Sequence, residues 1–160
     1  PLWVRLRGGG VGYFDLSGRP RPNAANMREN SFDSLMDFSD RNALAQRFLD
    51  EHEDARVLSV SMCSHDLYAG TGEDDPHNPG VDASGDPITT NGLTATIEAI
   101  DATTALLETD DVVLHGTSAG GAGSFHVGWF LERRDTPPTA IVSDGGIVNR
   151  AWEQAQIDQG

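Results

Sequence analysis

The segment of this 160-residue chain with the most chemical content is Gly116-Thr117-Ser118-Ala119-Gly120-Gly121. It stands between the apolar run Val112-Val113-Leu114, closed by His115, and a stretch of helical periodicity that begins near Ala119. A serine in Gly-x-Ser-x-Gly at a strand-to-helix junction is the pattern of a nucleophile elbow. The turn is tight enough that a side chain on either flank would collide with backbone, which accounts for Gly116 and Gly120 as elbow supports. The Ser118 hydroxyl then projects at the carboxyl edge of a sheet, over a helix N-terminus that favours developing negative charge. The chemistry implied is acyl transfer with Ser118 as the nucleophile. The plainer alternative is a buried serine in a glycine turn.

A tetrahedral acyl intermediate needs at least two hydrogen-bond donors aimed at its oxyanion. Ala119, the residue after the nucleophile, supplies one N–H in this reading, and the peptide of Gly10 or Val11 supplies the second. The latter two belong to the run Arg7-Gly8-Gly9-Gly10-Val11-Gly12, directly after an apolar opening segment. Glycine is useful there because the backbone itself must approach the substrate. A dinucleotide fingerprint is the competing interpretation of this run. It fails because Tyr13 and Asp15 occupy the third glycine positions of the two possible G-x-G-x-x-G frames.

A serine hydroxyl also needs a histidine to take its proton and an acid to orient that histidine, in the chain order serine, acid, histidine for this class of elbow. The only histidine after Ser118 is His126. Eight residues along the same helix, it lies about 12 Å away along the axis. His115 is expected to be a packed core residue, His52 to end a helix, and His65 and His77 to lie on a long loop. The triad acid and histidine are therefore expected outside this chain. Residues 1–160 read as one domain, incomplete, with a second chain or segment completing it.

Composition narrows the classes further. Eleven basic and 25 acidic residues leave a formal charge of −14, and every basic residue is an arginine. Without lysine there is no Walker A loop and no Schiff-base chemistry in this chain. The acidity argues against nucleic acid as a partner. No apolar run approaches the roughly 20 residues needed for a membrane span. Cys63 is the single cysteine, so neither an internal disulfide nor a cysteine-rich zinc site can form. No metal-ligand spacing is present, and no cofactor is expected. An acidic surface whose cations are all arginine suits either adaptation to high salt or an ordinary acidic protein. The opening Pro1-Leu2-Trp3-Val4-Arg5-Leu6 reads as a strand already under way rather than a signal peptide.

The elements that must position these residues alternate. Strands are expected at Trp3 to Leu6, Arg56 to Met62, Val112 to His115 and Thr139 to Ser143. Between them, helices are expected from Arg41 to His52 with Asp40 as N-cap and Leu44, Phe48 and Leu49 on one face, from Leu93 to Glu108, and from Ala119 to Arg134. Phe14 to Ser39 reads as an irregular excursion and Cys63 to Asn91 as a long loop. Such alternation predicts an α/β fold of the α/β-hydrolase kind: a mostly parallel sheet with helices on both faces, only its central strands represented in this chain.

Several motifs recur together in one known family. They are the glycine-rich segment after the first strand, Cys63-Ser64-His65-Asp66 at a strand end, Asn91-Gly92 before the helix that leads to the elbow, the Gly-x-Ser-Ala-Gly-Gly elbow, and Ser143-Asp144-Gly145. In that order they resemble the pectin acetylesterase family, which includes the Notum-type carboxylesterases. The resemblance spans most of the chain. It departs at Val11-Gly12-Tyr13, where the family often carries a cysteine, and at Asp144-Gly145-Gly146, where Asp-Ser-Gly is common. The resemblance implies a secreted serine carboxylester hydrolase without a metal, removing O-acetyl groups from a polysaccharide or a related ester. It also implies that Asp144 is not the triad acid. Another esterase, a lipase or a polyester depolymerase is the alternative among enzymes. A catalytically silent α/β-hydrolase used as a binding module is the alternative outside them.

Overall fold

The computed structural model describes residues 1–8, 42–62, 66–74, 84–87 and 89–145, with short pieces at 13–14, 20–21, 33, 36 and 81. In chain order the elements are β1 (Leu2–Leu6), β2 (Tyr13–Phe14), β3 (Pro20–Arg21), α1 (Ala43–Glu51), β4 (Arg56–Val60), α2 (Gly92–Leu107), β5 (Val112–Thr117), α3 (Ala119–Arg133) and β6 (Ala140–Asp144). Four strands form one sheet in the order β4-β1-β5-β6, and β2 and β3 form a separate antiparallel pair. All three pairings in the larger sheet are parallel, with Leu6 opposite both Val60 and Gly116 and Thr117 opposite Asp144.

Successive strand residues point to opposite faces, and both faces are covered. Leu2, Val4, Leu6 and Leu114 pack in one cluster with Leu93, Ile97 and Ile100 of α2 and Val127 and Leu131 of α3. Trp3 and Val113 face the other way, onto Ala45 and Phe48 of α1. Each fully buried aliphatic side chain here stabilises the fold by about 1.5–3 kcal/mol. The chain is thus an α/β domain with helices on both faces of a parallel sheet. Among the described residues no helix is long and apolar enough to cross a membrane.

Strand order decides where a site can form. From β1 the chain crosses by α1 on one face to β4, whereas from β5 it crosses by α3 on the other face to β6. The carboxyl ends of the neighbours β1 and β5 therefore send their chains in opposite directions. Such a switch point is where α/β sheets bind their ligands.

Several details differ from the sequence reading, among them β4, which ends at Val60, and β6, which runs Ala140–Asp144. Helix α1 is capped by Asn42, whose side-chain oxygen accepts from the Ala45 amide at 2.9 Å; Asp40, expected as the cap, lies outside the described residues. The packed face of α1 also differs, because Ala45 and Phe48 turn toward Trp3 while Leu44 remains 55% exposed. Asn42→Ala should lower stability by about 1 kcal/mol, read from the urea unfolding midpoint. Strand β5 continues to Thr117, so His115 lies within the strand instead of capping it.

His115 is 1% exposed and meets the Trp3 indole edge-on with centroids 5.3 Å apart. Burial pushes its pKa down, and Asp144 opposes that shift while Arg5 adds to it. Burial also lowers the pKa of His126, against the opposing hydrogen bond to Leu67 and the charge of Asp66. Unfolded, both imidazoles protonate near the ordinary value of about 6.5. As pH falls from there toward the depressed folded values, the unfolded state binds more protons, so stability is full above about pH 6.5 and declines below it. The urea midpoint should accordingly fall between pH 7 and 5, and a midpoint that rose over this interval would contradict the burial argument.

Candidate active site

Ser118 is the single residue between β5 and α3, and its backbone adopts φ 56° and ψ −119°. For a residue with a side chain this conformation costs on the order of 1–3 kcal/mol, and it persists only where neighbours over-determine it. Here they do. The Ser118 amide donates to the Asp144 carbonyl at 2.8 Å, and the Ser118 carbonyl accepts from the amides of Gly121 at 2.9 Å and Ala122 at 3.4 Å. Strand β6 and the first turn of α3 thus hold the serine from both sides.

Contact, rather than unusual torsion, demands the flanking glycines. A Cβ on Gly116 would run into the Gly120 carbonyl, and a Cβ on Gly120 into the carbonyl of Leu6. The elbow is pressed against the end of β1 as well as against itself. Ala119 opens α3, and as the first residue of the helix its N–H has no carbonyl within the helix to bond. That N–H is the kind of donor a developing oxyanion requires.

Sequence reasoning missed one neighbour of the serine, on the chain leaving the adjacent strand β1. A Cβ on Gly8 would strike the Thr117 carbonyl and lie 3.0 Å from the Ser118 Cβ. The chain leaving β1 therefore passes directly against Ser118 at the switch point. Gly10 and Val11, the expected second oxyanion donors, lie outside the described residues, as do Cys63, Ser64, His65 and His77. Asp144 ends β6, and its backbone carbonyl, as just described, is what touches the serine.

His126 is turned away from any role as base. Its ring meets the Leu67 carbonyl through Nδ1 at 2.9 Å, so Nδ1 carries the proton and donates. This contact belongs to a second feature that sequence reasoning missed, the turn at residues 66–70. The Asp66 carboxylate accepts three backbone amides: Tyr68 at 3.1 Å, Gly70 at 3.1 Å and Gly92 at 2.8 Å. The Gly70 carbonyl in turn accepts from the Leu93 and Thr94 amides. Asp66 thereby fastens the start of the long loop to the N-terminus of α2. A residue two positions after an aspartate whose side chain takes its amide is an Asx-turn, the one local signal in the sequence. The 26-residue reach to Gly92 has no local signal.

A surface groove elsewhere, along α3 and β6, is lined by Phe125, Trp129, Pro137, Pro138 and Ile141 among others. The Arg133 guanidinium lies over the Trp129 ring at 4.8 Å. No residue of the elbow lines this groove, so it is separate from Ser118.

Comparison of the chain with protein families, with curated proteins and with solved structures found no match in any of the three.

Proposed function

We propose that the chain is the nucleophile-bearing part of a serine carboxylester hydrolase of the α/β-hydrolase kind. The carrying observation is the Ser118 backbone at φ 56° and ψ −119°, held at the topological switch point with glycines packed on both flanks. Such strain at an otherwise ordinary junction is explained by a side chain that must be presented outward. In this mechanism Ser118 Oγ attacks the acyl carbonyl while a histidine takes its proton. The oxyanion bonds the Ala119 N–H and a peptide N–H of Gly10 or Val11. The alcohol leaves with the proton returned by the histidine, and water then cleaves the acyl-enzyme by the same route. The histidine and its acid are proposed to come from another segment, because among the described residues His126 is committed to Leu67 and His115 is buried against Trp3.

Resemblance in the order of motifs points to O-acetyl groups on a polysaccharide as the substrate and to a secreted enzyme. Labelling with a fluorophosphonate probe, followed by peptide mass mapping, tests the reaction class. In the full-length protein, with the histidine present, a phosphonyl adduct on Ser118 is the expected result, and a full-length protein that takes up no probe would overturn it in favour of a binding module. Acetate release from acetylated pectin, compared with release of longer acyl chains and with polyester cleavage, tests the substrate.

A further inference from the structure

We propose that Tyr68 is a positioning residue for the candidate active site: its hydroxyl sets the path by which the chain leaves β1 toward the oxyanion segment. The proposal rests on the serine hydrolase reading above and adds a residue to it.

The ladder between β1 and β4 ends at Leu6 and Val60. Just beyond it lie the carbonyls of Arg7 and Val60, the latter also accepting from the Arg7 amide at 3.4 Å. The Tyr68 hydroxyl meets both, at 2.9 Å from Arg7 and 3.0 Å from Val60, sharing its one proton between them. Arg7 is followed by Gly8, which lies against Thr117 and Ser118 with no room for a side chain. Fixing the Arg7 carbonyl therefore fixes the peptide that packs on the nucleophile and leads to Gly10 and Val11.

Tyr68 is itself held more firmly than a loop residue needs to be. It is fully buried. Both Leu67 and Tyr68 have left-handed backbones, with φ 57° and 58°, a cost on the order of 1–3 kcal/mol each for residues with side chains. The Asp66 carboxylate and the His126 ring fasten this turn from either side, through the Tyr68 amide and the Leu67 carbonyl. The Tyr68 ring also lies so close to Gly123 of α3 that a Cβ there would overlap it. One turn thus touches the exit of β1, the elbow helix and the start of α2. A hydrogen bond to the exit of β1 transmits that rigidity to the site, where small displacements of a donor are costly.

The test uses Tyr68→Phe in the full-length protein, with turnover of 4-nitrophenyl acetate normalised to the amount of Ser118 titrated by a fluorophosphonate. Ile100→Val, which trims the core under α2, serves as a variant of reduced stability that leaves the site alone. Loss of the hydroxyl should lower kcat per titrated serine about 10-fold with KM within about 2-fold of wild type, whereas Ile100→Val should leave both unchanged. Normalisation removes any loss of folded protein from the comparison. Wild-type kcat per serine in Tyr68→Phe would overturn the positioning role while leaving the serine mechanism standing. Equal loss in both variants would reassign the effect to general stability and overturn it too. A full-length wild-type protein that took up no probe at Ser118 would remove the hydrolase reading and this proposal with it.

Discussion

Ser118→Ala should abolish fluorophosphonate labelling and reduce ester hydrolysis by about 10⁴-fold or more, because the proposed covalent route is lost and only oxyanion binding and substrate orientation remain. The size of this effect is what distinguishes a nucleophile from a serine that merely shapes the turn. Alanine should fit the position at least as well as serine does. The Ser118 backbone is held through its own amide and carbonyl, by Asp144, Gly121 and Ala122, and none of these bonds uses the hydroxyl. Stability should therefore change by less than about 1 kcal/mol. Loss of activity with an unchanged urea midpoint is the expected combination. An Ser118→Ala protein that still labelled, or that hydrolysed esters at a rate near wild type, would refute the assignment.

Gly116→Ala is expected to have the largest structural effect, lowering stability by about 3 kcal/mol or more and reducing the yield of folded protein. The added Cβ would overlap the Gly120 carbonyl, carbon and neighbouring Gly121 amide. Those atoms are backbone, fixed by the start of α3, and cannot swing aside as the end of a flexible side chain could. Gly120→Ala should behave alike, since its Cβ meets the carbonyl of Leu6 on the central strand β1. Gly85→Ala is a useful contrast. Nothing lies within 4 Å of a Cβ there, and only its φ of +90° disfavours a side chain, so the cost should be nearer 1 kcal/mol. Urea unfolding of the three variants ranks the contributions. A Gly116→Ala protein within about 1 kcal/mol of wild type would mean that the elbow relaxes, and would weaken the case for a rigidly presented serine.

These two substitutions separate the chemistry of the elbow from its construction. Removing the hydroxyl tests the reaction without touching the fold, and adding a methyl group tests the fold without touching the hydroxyl. The short φ excursion at Ser118 connects them, since a strained backbone is stable only as long as the glycine contacts around it hold.

Much of the architecture was legible because its signals are local. An apolar run such as Val112-Val113-Leu114 buries both of its faces, and the spacing of Leu93, Ile97 and Ile100 places three side chains on one side of a helix whatever the rest of the chain does. The Ser118 elbow was legible in part for the same reason, since Gly116 acts on Gly120 only four residues away, whereas the contact that demands Gly120 comes from Leu6 of β1. Helix edges were less legible. Asn42 took the capping role expected of Asp40 because either residue type can accept a helix amide, and only the actual path of the chain selects which does.

By itself, then, the sequence determined an alternating α/β chain, the strand-to-helix turn and the serine at its apex, since periodicity and the contact of Gly116 with Gly120 work over a few residues. Tertiary structure decided which distant groups meet that serine. The order β4-β1-β5-β6 sets β1 beside β5, and this is what brings Gly8 against Ser118. The same order carries Tyr68 to the Arg7 carbonyl across 61 residues, and the packing of α2 brings Gly92 to Asp66 across 26. Contacts of that reach depend on which strands become neighbours and on which face each helix packs. No pattern within a single segment encodes either choice.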